Sequence, residues 1–141
     1  MAIAKWAAPG TRSSNLAGTT LNSIVNGNTT AFVTYDNATA RDLYAAVTIK
    51  LGSIAPSAGG SITLRVHSGD GTDVPDDIGS VGGGDTYTVP LTAGASAKAY
   101  TIPLVRLYPF SMRLQVTNNS GVTTAGSANE LYVRPYNEDV T

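Results

Sequence analysis

From Leu43 to Leu51 the chain alternates without a break: Leu43, Ala45, Val47, Ile49 and Leu51 share one parity, and Tyr44, Ala46, Thr48 and Lys50 share the other. The same beat returns at Ile62, Leu64 and Val66, and again at Phe110, Met112, Leu114 and Val116. Successive side chains of a strand point to opposite faces, so each stretch reads as a strand buried on one face. Such strands belong to antiparallel sheets with one face on a core and the other toward solvent. A chain of 141 residues is long enough to bury that core as one domain.

The composition removes several chemistries. There is no cysteine, which excludes disulfides, thiolate metal sites and cysteine nucleophiles. The formal charge is −1 and the nine basic residues are scattered from Lys5 to Arg134 with no stripe or block, so no nucleic-acid partner is expected. No run approaches the roughly 18 apolar residues of a membrane span, and no membrane partner is expected. Residues Met1–Gly10 lack the apolar stretch of a signal peptide, so synthesis in a cytoplasm is expected. Asn28, Asn37 and Asn118 sit in glycosylation sequons, which an Asn/Thr-rich chain produces by chance. Only 13% of residues are charged, against roughly 25% in ordinary soluble domains, so Thr, Ser, Asn and Gly dress the surface. That suits a protein that packs against copies of itself or a partner.

Residues 1–18 read as an N-terminal arm and residues 19–141 as the β-sandwich domain. The arm is rich in Ala, Gly, Ser and Asn, and it holds the only tryptophan, Trp6. Trp6 either tucks back onto its own domain or anchors the arm on a neighbouring subunit. Strands are expected at about Leu21–Val25, Thr30–Tyr35, Leu43–Leu51, Ser61–Ser68, Thr86–Leu91, Lys98–Leu107, Pro109–Thr117 and Glu130–Pro135. Asn26-Gly27 is a hairpin-turn signal between the first two. Pro90 and Pro103 assign their segments to sheet edges or bulges. The polar stretch from Gly69 to Asp85 forms a long loop. These eight short strands, with no helical period and one turn near Thr39–Asp42, predict an all-β, antiparallel two-sheet sandwich of jelly-roll type.

Candidate chemistry is sparse. His67, the only histidine, ends a strand beside Ser68 and is expected to face solvent. No G-x-S-x-G elbow accompanies it, as a serine nucleophile requires. Asp70, Asp73, Asp76 and Asp77 crowd one loop and could supply calcium ligands, although their spacing is not that of an EF-hand. Aspartate and glycine also fill turns for conformational reasons alone. Seven tyrosines raise carbohydrate binding, with Tyr44 and Tyr132 on outward strand faces. No phosphate loop, dinucleotide fingerprint or metal motif occurs, so no cofactor is expected and no enzymatic activity is read from the residues.

Tyr35-Asp36-Asn37, then Asp42-Leu43-Tyr44 leading into the alternating strand, resembles a family of small proteins encoded by tailed bacteriophages. Pro56-Ser57-Ala58-Gly59-Gly60, Asp70-Gly71-Thr72 and Leu131-Tyr132-Val133-Arg134-Pro135-Tyr136 add to the likeness, which runs from about Thr19 to Val140. The resemblance implies a virion structural protein without catalytic activity: a β-sandwich on the particle exterior, as a head decoration (cement) protein or a tail component. Its implied partners are the major capsid protein or other virion proteins, and copies of itself, as a homotrimer. Trp6, Tyr44 and Tyr132 are the expected interface residues. A tail or baseplate protein of the same fold and a carbohydrate-binding, host-attachment module are the alternatives.

Overall fold

The computed structural model describes residues 4–69 and 84–140. The Asp70–Asp77 cluster and most of the Gly69–Asp85 loop lie outside these residues. Among the described residues nine strands follow in chain order: β1 (Ala4–Trp6), β2 (Val33–Asp36), β3 (Tyr44–Ile54), β4 (Ser61–Ser68), β5 (Asp85–Pro90), β6 (Ser96–Arg106), β7 (Ser111–Asn119), β8 (Glu130–Tyr136) and β9 (Glu138–Val140). One sheet has the order β2-β7-β4-β5, the second β6-β3-β8, and β1 pairs with β9 in a separate ribbon. Every pairing is antiparallel. The chain crosses from one sheet to the other at each connection from β2 to β8 except the β4–β5 hairpin. The all-β sandwich expected from the alternation is what the chain forms.

Alternation places the core. Ala45, Val47, Ile49 and Leu51 of β3 are at most 2% exposed and meet Ile62, Leu64, Val66, Met112, Leu114 and Val116 of the facing sheet, with Leu131 and Val133 beside them. Truncating one such leucine to alanine typically costs about 2–5 kcal/mol, the lost transfer energy plus the cavity. The burial rhythm of β3 starts at Ala45, because Leu43 precedes the strand and stays exposed.

Residues 21–25 differ from expectation: they form turns and coil, not a strand. Leu21 and Ile24, three apart, are both buried, which a strand of period two cannot achieve on one face. Their backbone groups bond to loop residues instead. Thr124 Oγ1 donates to Leu21 O (2.8 Å) and accepts from Ile24 N (2.8 Å), and Asn118 Nδ2 donates to Ile24 O (2.7 Å). Asn26-Gly27 does turn the chain, with Gly27 at φ 86°, but it leads from this coil toward β2 instead of joining two strands. The single turn near Thr39 is present, closed by Arg41 N donating to Asn37 O at 2.9 Å.

Residues 7–16 run along the edge of β8. Ala7, Gly10, Ser13 and Leu16 donate their N–H groups to the carbonyls of Asn137, Pro135, Val133 and Leu131, at 2.8–2.9 Å. In return the Leu131 N–H donates to Asn15 Oδ1 and the Val133 N–H to Ser13 Oγ, both at 3.0 Å. Pro135 falls in this same row, where its missing N–H leaves no orphan donor. The first residues of the chain thus act as an irregular fourth strand of the smaller sheet.

Candidate functional site

The register of the three-stranded sheet orders its outer face in rows. Tyr136, Tyr44 and Arg106 lie across from one another, then Arg134 and Ala46, then Tyr132, Thr48 and Thr101, and finally Glu130, Lys50 and Ala99. The far rows are polar and closed among themselves. Lys50 Nζ reaches Glu130 Oε2 at 3.0 Å, and the Thr48 and Thr101 hydroxyls lie 2.9 Å apart. The Lys50 ammonium holds the Glu130 carboxyl below its ordinary pKa. Tyr132 belongs to this half, with the Arg12 guanidinium 4.0 Å above its ring centroid and Lys50 Nζ at 5.2 Å.

The opposite end is aromatic. Tyr44 and Tyr136, directly opposed across β3 and β8, stack with centroids 5.8 Å apart and planes 28° off parallel. The β1–β9 ribbon brings Trp6 against both, edge-on, at 5.3 Å from Tyr136 and 6.0 Å from Tyr44. Burial and the neighbouring Tyr44 raise the Tyr136 pKa, so its phenol keeps its proton and donates to the Pro103 carbonyl at 2.7 Å. Asn137 fastens the arrangement: its N–H₂ donates to Asp42 Oδ1, its side-chain oxygen accepts from Leu43 N, and its carbonyl accepts from Ala7 N. Trp6, Ala7, Pro9, Pro103, Leu104 and Tyr136 line an open groove of about 470 Å³. Trp6 is 61% exposed and Leu104 52%, an unusual display for large apolar side chains.

Of the expected interface residues, Trp6 and Tyr44 meet here, while Tyr132 sits on the same face under its cations. Trp6 tucks onto its own domain, yet keeps most of its indole in the open. Tyr136, Pro9, Pro103 and Leu104 are not among the interface residues expected from sequence. Tyr136 shares the outward parity of Tyr132 on one strand, a signal that would have found it; the two prolines and Leu104 carry none.

The outer face of the four-stranded sheet is different. His67, expected to face solvent, is only 2% exposed. Phe32 stands edge-on to its ring at 5.9 Å, and the Arg113 guanidinium lies 4.6 Å from the Phe32 centroid. Gln115 beside it is also buried and donates to Thr30 O at 3.2 Å. Two sequon asparagines are equally occupied: Asn37 and Asn118 are fully buried and bond loop backbone, so neither side chain is open to a glycan. Among the described residues, no group of three or more His, Cys, Asp or Glu side chains is placed to hold a metal ion. No helix among them is long and apolar enough to cross a membrane.

No protein-family model matches the chain, and no curated protein matches its sequence. Among solved structures, one described as TmCBM61 in complex with β-1,4-galactotriose is similar at a TM-score of 0.37 and 10% identity, over 84% of this chain and 69% of that one. At that distance the ligand of the one does not bear on the other.

Proposed function

We propose that this chain is a non-enzymatic structural protein of a tailed-phage virion, a head decoration protein that docks on the outside of the shell through the Trp6 groove and bridges neighbouring capsid subunits. The observation that carries the docking is the groove itself. An exposed indole, two prolines, a leucine and a tyrosine rim open onto solvent, and Trp6 and Leu104 are two of the four exposed large apolar side chains among the described residues. Buried aromatic anchors of this kind dominate binding energy where they enter a partner's pocket. The nearly apolar lining favours a protein segment over a sugar, whose hydroxyls need hydrogen-bonding groups around the stacking ring. The sequence resemblance supplies the class of partner, major capsid protein or another virion protein. A partner that binds only the assembled shell stabilises it by mass action.

The test is co-sedimentation of the purified protein with expanded heads lacking it. Binding is expected, with a loss of about thirtyfold on Trp6→Ala, the change that about 2 kcal/mol at an anchor produces. Failure to bind, or equal binding by the variant, contradicts the reading. Immunogold labelling confined to tails would move the same surface to a tail or baseplate role.

A second reading, a carbohydrate-binding module, is favoured by one feature, the exposure of the Trp6 indole. Tyr132 is capped by Arg12 and Tyr44 is stacked on Tyr136, so the sugar platform would be Trp6 alone. Binding on a glycan array that Trp6→Ala abolishes would establish it.

A further inference from the structure

Four strands end the two sheets of the sandwich, and three of these edges are guarded. The β8 edge carries residues 7–16. The β2 strand is only four residues long and β5 six, closing in Pro90. Short strands and proline are ordinary devices against edge-to-edge pairing. The β6 strand is the exception, with 11 residues and a run, Ser96–Ile102, free of proline.

The direction of its backbone follows from the register. Leu131, Val133 and Pro135 bond the arm, so Tyr132 and Arg134 face β3 and pair with Thr48 and Ala46. Val47, Ile49 and Leu51 therefore bond the other way, toward Ile102, Tyr100 and Lys98. That leaves the N–H and C=O groups of Ala97, Ala99 and Thr101 pointing away from the sheet. All three residues are exposed, and no described group bonds their backbone.

The charge that would guard such an edge is absent. Lys98 is the only charged residue of the run, and it is just 7% exposed. Its ammonium is turned into the β5–β6 loop, donating to Gly94 O and Ser96 Oγ at 2.9 Å each. The row at the edge is Ala, Ala and Thr, small enough for another backbone to approach.

We propose that two copies of this chain join β6 to β6, antiparallel, with Ala99 on the two-fold axis. In that register Ala97 of each copy faces Thr101 of the other, and all three outward residues exchange both backbone bonds with their partners. No like charges oppose, because Lys98 falls opposite Tyr100 and points to the core side. A second copy fits this edge because antiparallel pairing centred on Ala99 sets only small outward residues opposite one another, Ala99 on Ala99 and Ala97 on Thr101. The result is one continuous six-stranded sheet, β8-β3-β6-β6-β3-β8. Its two-fold axis stands perpendicular to the sheet, so both Trp6 grooves lie on the same side. Two docking sites on one face would convert modest affinity into avidity and span neighbouring subunits. The pairing goes beyond the docking function and does not depend on it. It is a two-fold contact, unlike the heterologous contact that closes a trimer.

The native chain lacks cysteine, which makes single-cysteine variants clean probes. Facing Cα atoms of a hydrogen-bonded pair lie about 5.5 Å apart, within disulfide reach. Mild oxidation of Ala99→Cys is expected to give a cross-linked dimer. Ala97→Cys and Thr101→Cys are expected to cross-link when mixed, and poorly alone. Sedimentation equilibrium of the full chain should show a dimer, with its dissociation constant raised at least tenfold by Ala99→Lys, while circular dichroism, and melting at dilutions where both are monomers, stay native. A monomer at every concentration overturns the proposal. So does a trimer indifferent to Ala99→Lys, or a cross-linking pattern centred on another residue. Protection of β6 only on adding capsids would assign the edge to a strand of another protein and equally overturn it. Cross-linking and sedimentation are read without capsids, so the pairing and the docking fail separately.

Discussion

The two edges of the smaller sheet receive opposite treatment. Along β8 the chain covers its own backbone with residues 7–16, using main-chain bonds where it can and Ser13 and Asn15 side chains where the strand needs acceptors. Along β6 it leaves a row of three exposed small residues and withdraws the lysine between them. An uncovered edge is a template for another strand, and a protein that covers one edge with such care has the means to cover both. The difference separates a structural edge, which belongs to the fold, from one available to a partner. Between them, on the outer face, the Trp6 groove depends on the covered edge for its indole and on β6 for Pro103 and Leu104.

Removing residues 1–16 should separate the two edges most sharply. It strips the β8 bonds, removes Trp6, and should lower stability by roughly 3 kcal/mol or more, at about 0.5–1.5 kcal/mol for each net hydrogen bond. Urea denaturation of the truncated chain checks this; an unchanged midpoint would mean that the arm is not part of the folded unit. Asn137→Ala should cost about 1–2 kcal/mol, since it releases Leu43 N and Asp42 beneath the aromatic cluster. Its Trp6 emission should shift to the red as the ribbon loosens. Tyr136→Phe removes only the bond to Pro103 O and should cost about 1 kcal/mol, measured the same way. Ala99→Lys, on the bare edge, should change the stability of the dilute monomer by no more than about 0.5 kcal/mol. A large loss there would mean that the β6 edge is covered in the folded monomer.

The alternation from Leu43 to Leu51 and its echoes carried most of the sandwich, because a half-buried strand writes its burial into every second residue. Seven strand segments expected from sequence are strands in the fold, Ser61–Ser68 with the same ends and the other six with shifted ones. The segment 21–25 escaped because its buried residues are spaced by three and its backbone is satisfied by Thr124 and Asn118, about a hundred residues away in sequence. The arm was legible as irregular but not as a sheet edge. Its bonds use side chains of Ser13 and Asn15 at positions with no period. The aromatic end was half legible: Trp6 and Tyr44 stood out as residue types, but only the register sets Tyr136 beside Tyr44, and only the fold brings in Pro9, Pro103 and Leu104. His67 was misjudged because the parity that put it outside the core says nothing of Phe32 and Arg113 lying over that face.

Amide hydrogen exchange of the full chain, followed from dilute to concentrated solution, tests the contrast of edges most directly. In dilute protein the Leu131 and Val133 amides should be protected by the arm, while Ala97, Ala99 and Thr101 exchange rapidly. On concentration the β6 amides alone should slow. Protection of β6 that does not depend on concentration, or rapid exchange at Leu131 and Val133, would contradict the account.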